Sequence, residues 1–415
     1  MVVTRRLAAA LLGGSMLFLA ACGSGGGTSG PVSIVFATQG LGAEGDASKK
    51  AVADFNKANP GIHVSILTLS PTANNAYQQL TQRFIAGSDT PDVITSDVIW
   101  PATFAKSGWI LPLDRFHLNT GDFFAGQLKS GTYQGKLYAV PWFINAEGVY
   151  YRTDLVSSPP TSPQQLVQEA KAVMSSNPSI KTGFAFEGAK YEGVVTAFLN
   201  VLGGFGGSLD PSKIDSPENV QALTYLKNLI YQDHVSPPAV TSWQESNVQD
   251  QWLSGQAAFA MNWPYIFQLS EKAGSAVQGK TGWIPFPSST GTPMSALGGD
   301  DLVINARSKH PDAAWKFIQY LTSPSVQIQR AIGAGDPPAV KSAYTQQLYS
   351  QAPYYRQEQA VFNVVEPRPV SPVYPQISEV LQTQLNAALT NQTSPEQALA
   401  AAQQQINGIV HGSGG

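Results

Sequence analysis

The chain has 415 residues, of which 43% are hydrophobic and 13% charged, and its formal net charge is −3. That balance excludes a polycation built for nucleic acid or anionic membrane, and the length exceeds one typical core, so about two globular domains are predicted. Gln, Asn, Ser, Thr and Trp are plentiful while charge is scarce, a chemistry that suits a neutral polar ligand better than an ionic one.

Arg5 and Arg6 precede an apolar run from Leu7 to Phe18. The run is shorter than the ~20 residues of a bilayer-crossing helix, so it reads as an export signal with a cleavage site. Leu19-Ala20-Ala21-Cys22 resembles the bacterial lipobox. Residues 1–21 are therefore expected to be removed, Cys22 to carry lipid, and 22–30 to tether the protein to the outer face of the cytoplasmic membrane. Cys22 is the only cysteine. The folded part then has no disulfide and no Cys-based metal or redox chemistry.

Val32 to Thr38 predicts a strand, Ala47 to Asn59 an amphipathic helix stopped at Pro60-Gly61, and His63 to Leu69 a second strand. Ala76 to Ala86 predicts a helix and Asp92 to Thr95 a buried strand. This βαβαβ rhythm predicts an α/β fold with a parallel sheet whose strand ends gather ligands. Two further strands, Leu137 to Val140 and Gly148 to Tyr151, flank Asn145. Helices follow over Pro163 to Met174, Tyr191 to Val201, Pro217 to Tyr231 and Val248 to Gly255. Leu302 to Ile304 is a strand, and Pro311 to Thr322 a helix burying Trp315, Phe317, Ile318 and Leu321. Ile377 to Val410 is almost wholly helical.

Gly40-Leu41-Gly42-Ala43-Glu44-Gly45 matches G-x-G-x-x-G between strand and helix. Glu44 would set a carboxylate against a pyrophosphate, and no acidic ribose partner ends the second strand. A dinucleotide site is rejected, and the glycines are read as a tight turn that presents Glu44. The five histidines are scattered without metal-ligand spacing, and neither a nucleophile elbow nor a Walker loop is present. No cofactor, no metal and no catalytic residue is expected.

From Val32 to about Val410 the chain resembles the family-1 extracellular solute-binding proteins of bacterial ABC sugar importers, most of all the trehalose/maltose-binding lipoproteins. The resemblance rests on Pro91-Asp92-Val93-Ile94 leading to Asp97-Val98-Ile99-Trp100, Ser107-Gly108-Trp109, Lys136 to Pro141 leading to Tyr150-Tyr151-Arg152, and Lys190-Tyr191-Glu192-Gly193. Asn262-Trp263-Pro264-Tyr265, Leu297-Gly298-Gly299, Pro367-Arg368-Pro369 and Pro372-Val373-Tyr374-Pro375 extend it. It implies a two-lobed α/β periplasmic-binding-protein (Venus flytrap) fold, closing over a sugar about a hinge that the chain crosses more than once. On that pattern residues 31–144 and 285–322 form lobe 1, residues 145–284 and 323–411 lobe 2. The crossings fall around Asn145, at Trp283 to Phe286 and at Tyr320 to Ser325.

Carboxylates accept sugar hydroxyls, a guanidinium donates several hydrogen bonds, and a Trp face stacks on a pyranose ring. Carried over, the resemblance implies Glu44, Asp97, Asn145, Glu245, Trp263, Gly298, Gly299 and Arg368 as ligand-binding residues, with Tyr77, Tyr191, Phe205 and Tyr374 as secondary aromatic candidates. Each has a plainer role open to it. Glu44 serves equally as a solvated loop carboxylate, Asp97 and Asn145 as turn caps, Glu245 as a helix N-terminal charge, Trp263 as core, Arg368 as a surface ion pair and the glycines as a turn. Where relatives carry a stacking Trp after the Gly-Gly pair this chain has Asp300, an added acceptor, and it lacks their arginines near Ala76-Tyr77.

The implied protein is a monomeric, non-catalytic receptor that passes an α-linked di- or oligosaccharide to ABC permease subunits, with no nucleic acid partner. Two other readings stay open. One is a receptor of the same fold for a non-sugar solute; the other is a secreted carbohydrate-active enzyme, since paired carboxylates and Trp platforms also build glycosidases.

Overall fold

The computed structural model describes residues 30–412, apart from 41, 292, 363 and 364. The expected leader and the lipidation site Cys22 lie outside the described residues. No helix among the described residues is long and apolar enough to cross a membrane.

Among the described residues, eleven strands form two large sheets and a small hairpin. In chain order they are β1 (Val32–Gln39), β2 (Ile62–Leu69), β3 (Val93–Asp97), β4 (Thr132–Tyr133), β5 (Lys136–Leu137), β6 (Val140–Ala146), β7 (Gly148–Arg152), β8 (Thr182–Ala185), β9 (Ala257–Asn262), β10 (Thr281–Ile284) and β11 (Leu297–Ile304). The first sheet runs β2-β1-β3-β11-β6, the second β10-β7-β9-β8, and β4 pairs with β5. The molecule is thus a two-lobed α/β protein. As the βαβαβ rhythm predicts, β1 lies parallel to both β2 and β3. β11 then enters antiparallel between β3 and β6. The expected strand from Leu137 to Val140 is divided, because Leu137 belongs to the hairpin while Val140 opens β6.

The helix Gly42–Ala58 buries Val52 and Phe55 against Ile34, Phe36 and Phe317 of the first lobe's core. The helix Pro311–Leu321 does bury Trp315, Phe317, Ile318 and Leu321. In the second lobe the helix Glu192–Phe205 is apolar nearly all round and almost wholly buried. A helix of that composition needs cover on every side. The helices Tyr374–Leu389 and Pro395–Gly412, joining one core with it, supply part of that cover.

The chain passes between the lobes where β6 gives way to β7 at Glu147, and again before β11. The two passages touch: the Glu147 amide donates to the Ala296 carbonyl at 3.2 Å. A third passage lies beside them, with the Leu297 amide donating to Glu366 O and the Glu366 amide to Ser295 O, each at 3.0 Å. Two expected positions are corrected here. Trp283 and Ile284 belong to β10 and Phe286 to the second core, so the second passage comes after them. Tyr320 to Ser325 is a turn between two helices, and the second of these, Pro324–Ala334, packs on Gly42–Ala58 in the first lobe, where Arg330 Nη1 donates to Ser48 Oγ at 3.2 Å. The segment after residue 323 therefore stays with the first lobe until the passage near Glu366.

Candidate functional site

The carboxyl ends of β1 and β3 and the two sides of the third passage converge on one cleft. Asp97 ends β3 and faces Asp300 across the β3–β11 pair. Arg368 sits between the lobes: Nη2 lies 3.3 Å from Asp97 Oδ1 and Nη1 lies 2.7 Å from Glu192 Oε1. Glu192 opens the second lobe's central helix. Its carboxylate also accepts from Tyr374 Oη at 2.6 Å and from Ser378 Oγ. Arg368 Nη2 further donates to Leu297 O at 3.3 Å, leaving Nε the guanidinium nitrogen without a partner. Only 4% of Arg368 is exposed. A surface ion pair is therefore excluded, and its terminal nitrogens are occupied by the protein. Burial pushes the Asp97 carboxyl up; Arg368 opposes this and Glu192 adds to it. Asp97 Oδ1 also accepts from the Ile99 amide at 3.2 Å, so the turn-cap role is present beside the cleft role.

A second ion pair stands on the first lobe's wall. Arg330 Nη2 lies 2.7 Å from Asp336 Oδ2, and the guanidinium covers the Trp142 ring at 4.0 Å. Glu44, in the first turn of Gly42–Ala58, is half-buried with its carboxyl against Asp336. Burial raises it well above the ordinary range and Asp336 and Asp300 push further, while Arg330 pulls back. Asp300 is pushed up to about 8, first by burial and then by Asp97. Neither Arg330 nor Asp336 was singled out by sequence; they are six residues apart around a helix end, with no motif to announce them.

Trp263 follows β9 and is held by two direct contacts, with a third anchoring its neighbour Asn262. Its amide donates to its neighbour Asn262 Oδ1 at 2.8 Å, its carbonyl accepts from Tyr150 Oη at 2.9 Å, and Asn262 Nδ2 reaches Glu245 O at 3.0 Å. One asparagine thus positions both Trp263 and Glu245. The indole lies against Gly298, where a Cβ would come within 2.4 Å of the ring. Gly299 has φ +101°, just before the ladder's irregularity between Asp300 and Asp301, and a Cβ there would meet Phe143 O at 2.1 Å. Ring packing and backbone conformation account for the glycine pair. Asn145, opposite Gly298 in the ladder, is half-buried with Oδ1 unpartnered.

The second lobe's wall carries Glu147, Glu187 and Glu245 with Tyr191. Glu245 begins the helix Glu245–Leu253, as the helix-terminus reading requires, yet it also faces the Tyr191 hydroxyl. Burial raises it. Glu147 accepts from Asn200 Nδ2 at 2.7 Å through Oε2, and burial pushes it to about 7. Glu187 is wholly buried with its carboxyl against that of Glu147, raised by burial and then by Glu147 and Glu245. Sequence reasoning passed over Glu147 and Glu187. The available signal was an acidic residue directly after an apolar run, at Phe186-Glu187 and Ala146-Glu147.

Three secondary aromatics do other work. Tyr374 is buried on Glu192, Phe205 packs on Tyr225 at 5.4 Å, and Tyr77 stacks on Phe104 at 5.7 Å. Tyr191 alone turns its polar end to the carboxyl wall.

Two lobes joined by three adjoining passages, with carboxyls, two arginines and Trp263 gathered between them, have the form of a two-lobed solute-binding protein. The chain belongs to the bacterial extracellular solute-binding protein family, whose model matches residues 39–328. Membership assigns it capture outside the cytoplasm, not catalysis. It is 30% identical to a probable ABC transporter-binding protein of Deinococcus radiodurans, over 96% of this chain and 97% of that one. It is similar to the maltose-bound MalE3 of T. maritima, 35% identical, with TM-score 0.85 over 91% of this chain and 99% of that one. A Thermotoga lettingae ABC transporter solute-binding protein bound with α-D-tagatose matches at 26% identity, with TM-score 0.81 over 92% and 100%.

Proposed function

We propose that the protein is the lipid-anchored receptor of an ABC importer, capturing an α-linked di- or oligosaccharide of the maltose or trehalose kind and presenting it to the permease. The observation that carries this reading is Trp263, held against Gly298 between carboxyl groups of both lobes. A pyranose on that face would bury its C–H surface while its hydroxyls donate to Glu44, Asp97 and Asp300 on one side and Glu245 on the other. Each charge-assisted hydrogen bond contributes about 1.5–3 kcal/mol before desolvation is offset. A ligand touching both lobes favours their closed arrangement by its extra contacts there. Likeness to the maltose-bound protein at 35% identity supports the sugar class. The Leu19-Ala20-Ala21-Cys22 segment supports the anchor, and a single chain supplies both walls of the cleft, as a monomer requires.

Titration with maltose and trehalose, followed by tryptophan fluorescence, tests the reading. Saturable binding to the native protein that Trp263→Ala abolishes supports it; equal binding by both proteins removes the platform, and no binding removes the α-glucoside class. Radiolabelled palmitate incorporation that Cys22→Ala prevents tests the anchor.

A further inference from the structure

We propose that Arg330 and Asp336 are positioning residues for the ligand: together they hold the Glu44 carboxyl in one orientation toward the cleft. The inference rests on the receptor reading and deepens it, naming two groups that act on the sugar through a third.

Arg330 is the centre of the arrangement. Its guanidinium lies over the Trp142 ring at 4.0 Å and the Phe143 ring at 4.9 Å, which fixes its plane. Nη2 lies 2.7 Å from Asp336 Oδ2. Nη1 donates to Ser48 Oγ at 3.2 Å and reaches the Glu44 carbonyl at 3.5 Å, and Ser48 Oγ donates to that same carbonyl at 2.9 Å. The main chain of Glu44 is thus tied to Arg330, while its carboxyl meets Asp336. Only 7% of Arg330 and 2% of Asp336 is exposed, whereas Glu44 is half-buried. Two buried, paired residues therefore stand behind one residue of the cleft. The segment between them also touches the other wall, where Gln268 Nε2 donates to Ile332 O at 2.7 Å from the helix Tyr265–Ser270 that follows Trp263. One short stretch of chain thus sets the Glu44 acceptor relative to the Trp263 platform. An acceptor held in its bound orientation before the ligand arrives loses less freedom on binding.

Two carboxyls in contact within a buried site do not both ionise. Burial raises both; Asp336 pushes Glu44 further, while Arg330 and Glu44 hold Asp336 back. Glu44 therefore carries the proton and Asp336 the charge that Arg330 balances. Glu44 donates its O–H to Asp336 and offers its other oxygen to a sugar hydroxyl. The other titratable groups that face Glu44 are Asp300 on β11 and Tyr265 across the cleft. A sugar covering the pair removes water from it and favours the protonated state, so affinity should fall as pH rises and Glu44 loses its proton.

A double-mutant cycle tests the coupling, read as maltose and trehalose affinity by tryptophan fluorescence on the purified protein. Asp336→Ala should weaken binding about 10-fold in the native sequence and have almost no further effect in Glu44→Ala. Asp336→Asn keeps the size and an acceptor without the charge, and it serves the same cycle if Asp336→Ala does not fold. Native affinity should drop about 3-fold or more from about pH 6 to about pH 9. Glu44→Gln, whose amide donates to Asp336 but does not titrate, should lose that drop, and Asp300→Asn should keep it. An equal cost of Asp336→Ala in both backgrounds, or a drop that Glu44→Gln retains, overturns this inference and leaves the receptor reading standing. Binding of neither sugar by the native protein overturns both.

Discussion

The two walls of the cleft bring carboxyl groups out of water and treat them differently. On the first lobe's side and at the third passage, Asp336, Asp97 and Glu192 are matched by Arg330 and Arg368. On the second lobe's side, Glu147, Glu187 and Glu245 have hydrogen-bonding neighbours but no cation. Matched carboxylates belong to the scaffold, since each cation removed strands a buried charge. Unmatched ones are raised by burial and hold their protons instead. Similar residue types are therefore balanced by cations on one wall and by protons on the other.

Removing a cation from the matched wall should have the largest effect. Arg368→Met leaves Asp97 and Glu192 uncompensated and should lower the unfolding free energy by about 3–5 kcal/mol in urea titration, with binding lost in parallel. Glu187→Gln on the opposite wall should leave stability unchanged or raise it. Comparable destabilisation by both variants would erase the distinction between the walls.

Next comes the platform that both walls share. Trp263→Ala should cost about 2–4 kcal/mol of ligand binding, the scale of an aromatic anchor, with a much smaller shift in the urea midpoint than Arg368→Met. A midpoint shift as large as that of Arg368→Met would make Trp263 a core residue.

The unmatched wall also predicts a pH dependence. Glu147 rises from the ordinary 4.5 to about 7 in the folded protein. Between those values the folded chain keeps a proton that the unfolded chain has released. Unfolding free energy should therefore fall as pH rises, by about 1.4 kcal/mol per unit for this group, and level off above about pH 7. Asp300, raised from 3.8 to about 8, extends the fall upward. Glu147→Gln keeps an acceptor for Asn200 and should flatten the profile; a wild-type profile already flat from pH 5 to 8 would contradict these raised carboxyls.

Gly298→Ala should have the smallest effect. Its methyl would enter the space of the Trp263 ring and displace the platform, at a cost of about 1–3 kcal/mol. The loss should appear in sugar affinity measured by fluorescence, and unchanged affinity would separate ring position from binding.

Much of this architecture could be read from periodicity. β1 to β3 and their helices emerged from amphipathic spacing closed by Pro60-Gly61, which also placed Asp97 at a strand end; Glu44, expected on a tight turn, lies instead in the first turn of the helix Gly42–Ala58. The third passage could not be read in this way. Ser323-Pro324 has the signature of a domain edge but is the N-cap and first residue of a helix that stays in the first lobe. The real passage near Glu366 to Pro369 is a proline-rich run whose pairing is one isolated bridge, from Glu366 to Ala296. At the site, Trp263 and Arg368 stood out through rigid proline neighbours, but sequence could not show that Glu192 and Asp97 occupy the guanidinium. Gly298 and Gly299 looked like an approach for ligand, whereas one clears an indole and the other takes a positive φ against the Phe143 carbonyl. Glu147 and Glu187 escaped because the fold alone brings their carboxyls together.

The central claim is that this cleft captures a glycoside without transforming it. Calorimetric titration of the purified protein with maltose, trehalose, sucrose and glucose, with a product assay on the same samples, tests it most directly. One-to-one binding of a disaccharide with no turnover is the expected result. Turnover, or the absence of binding by any of the four, would contradict it.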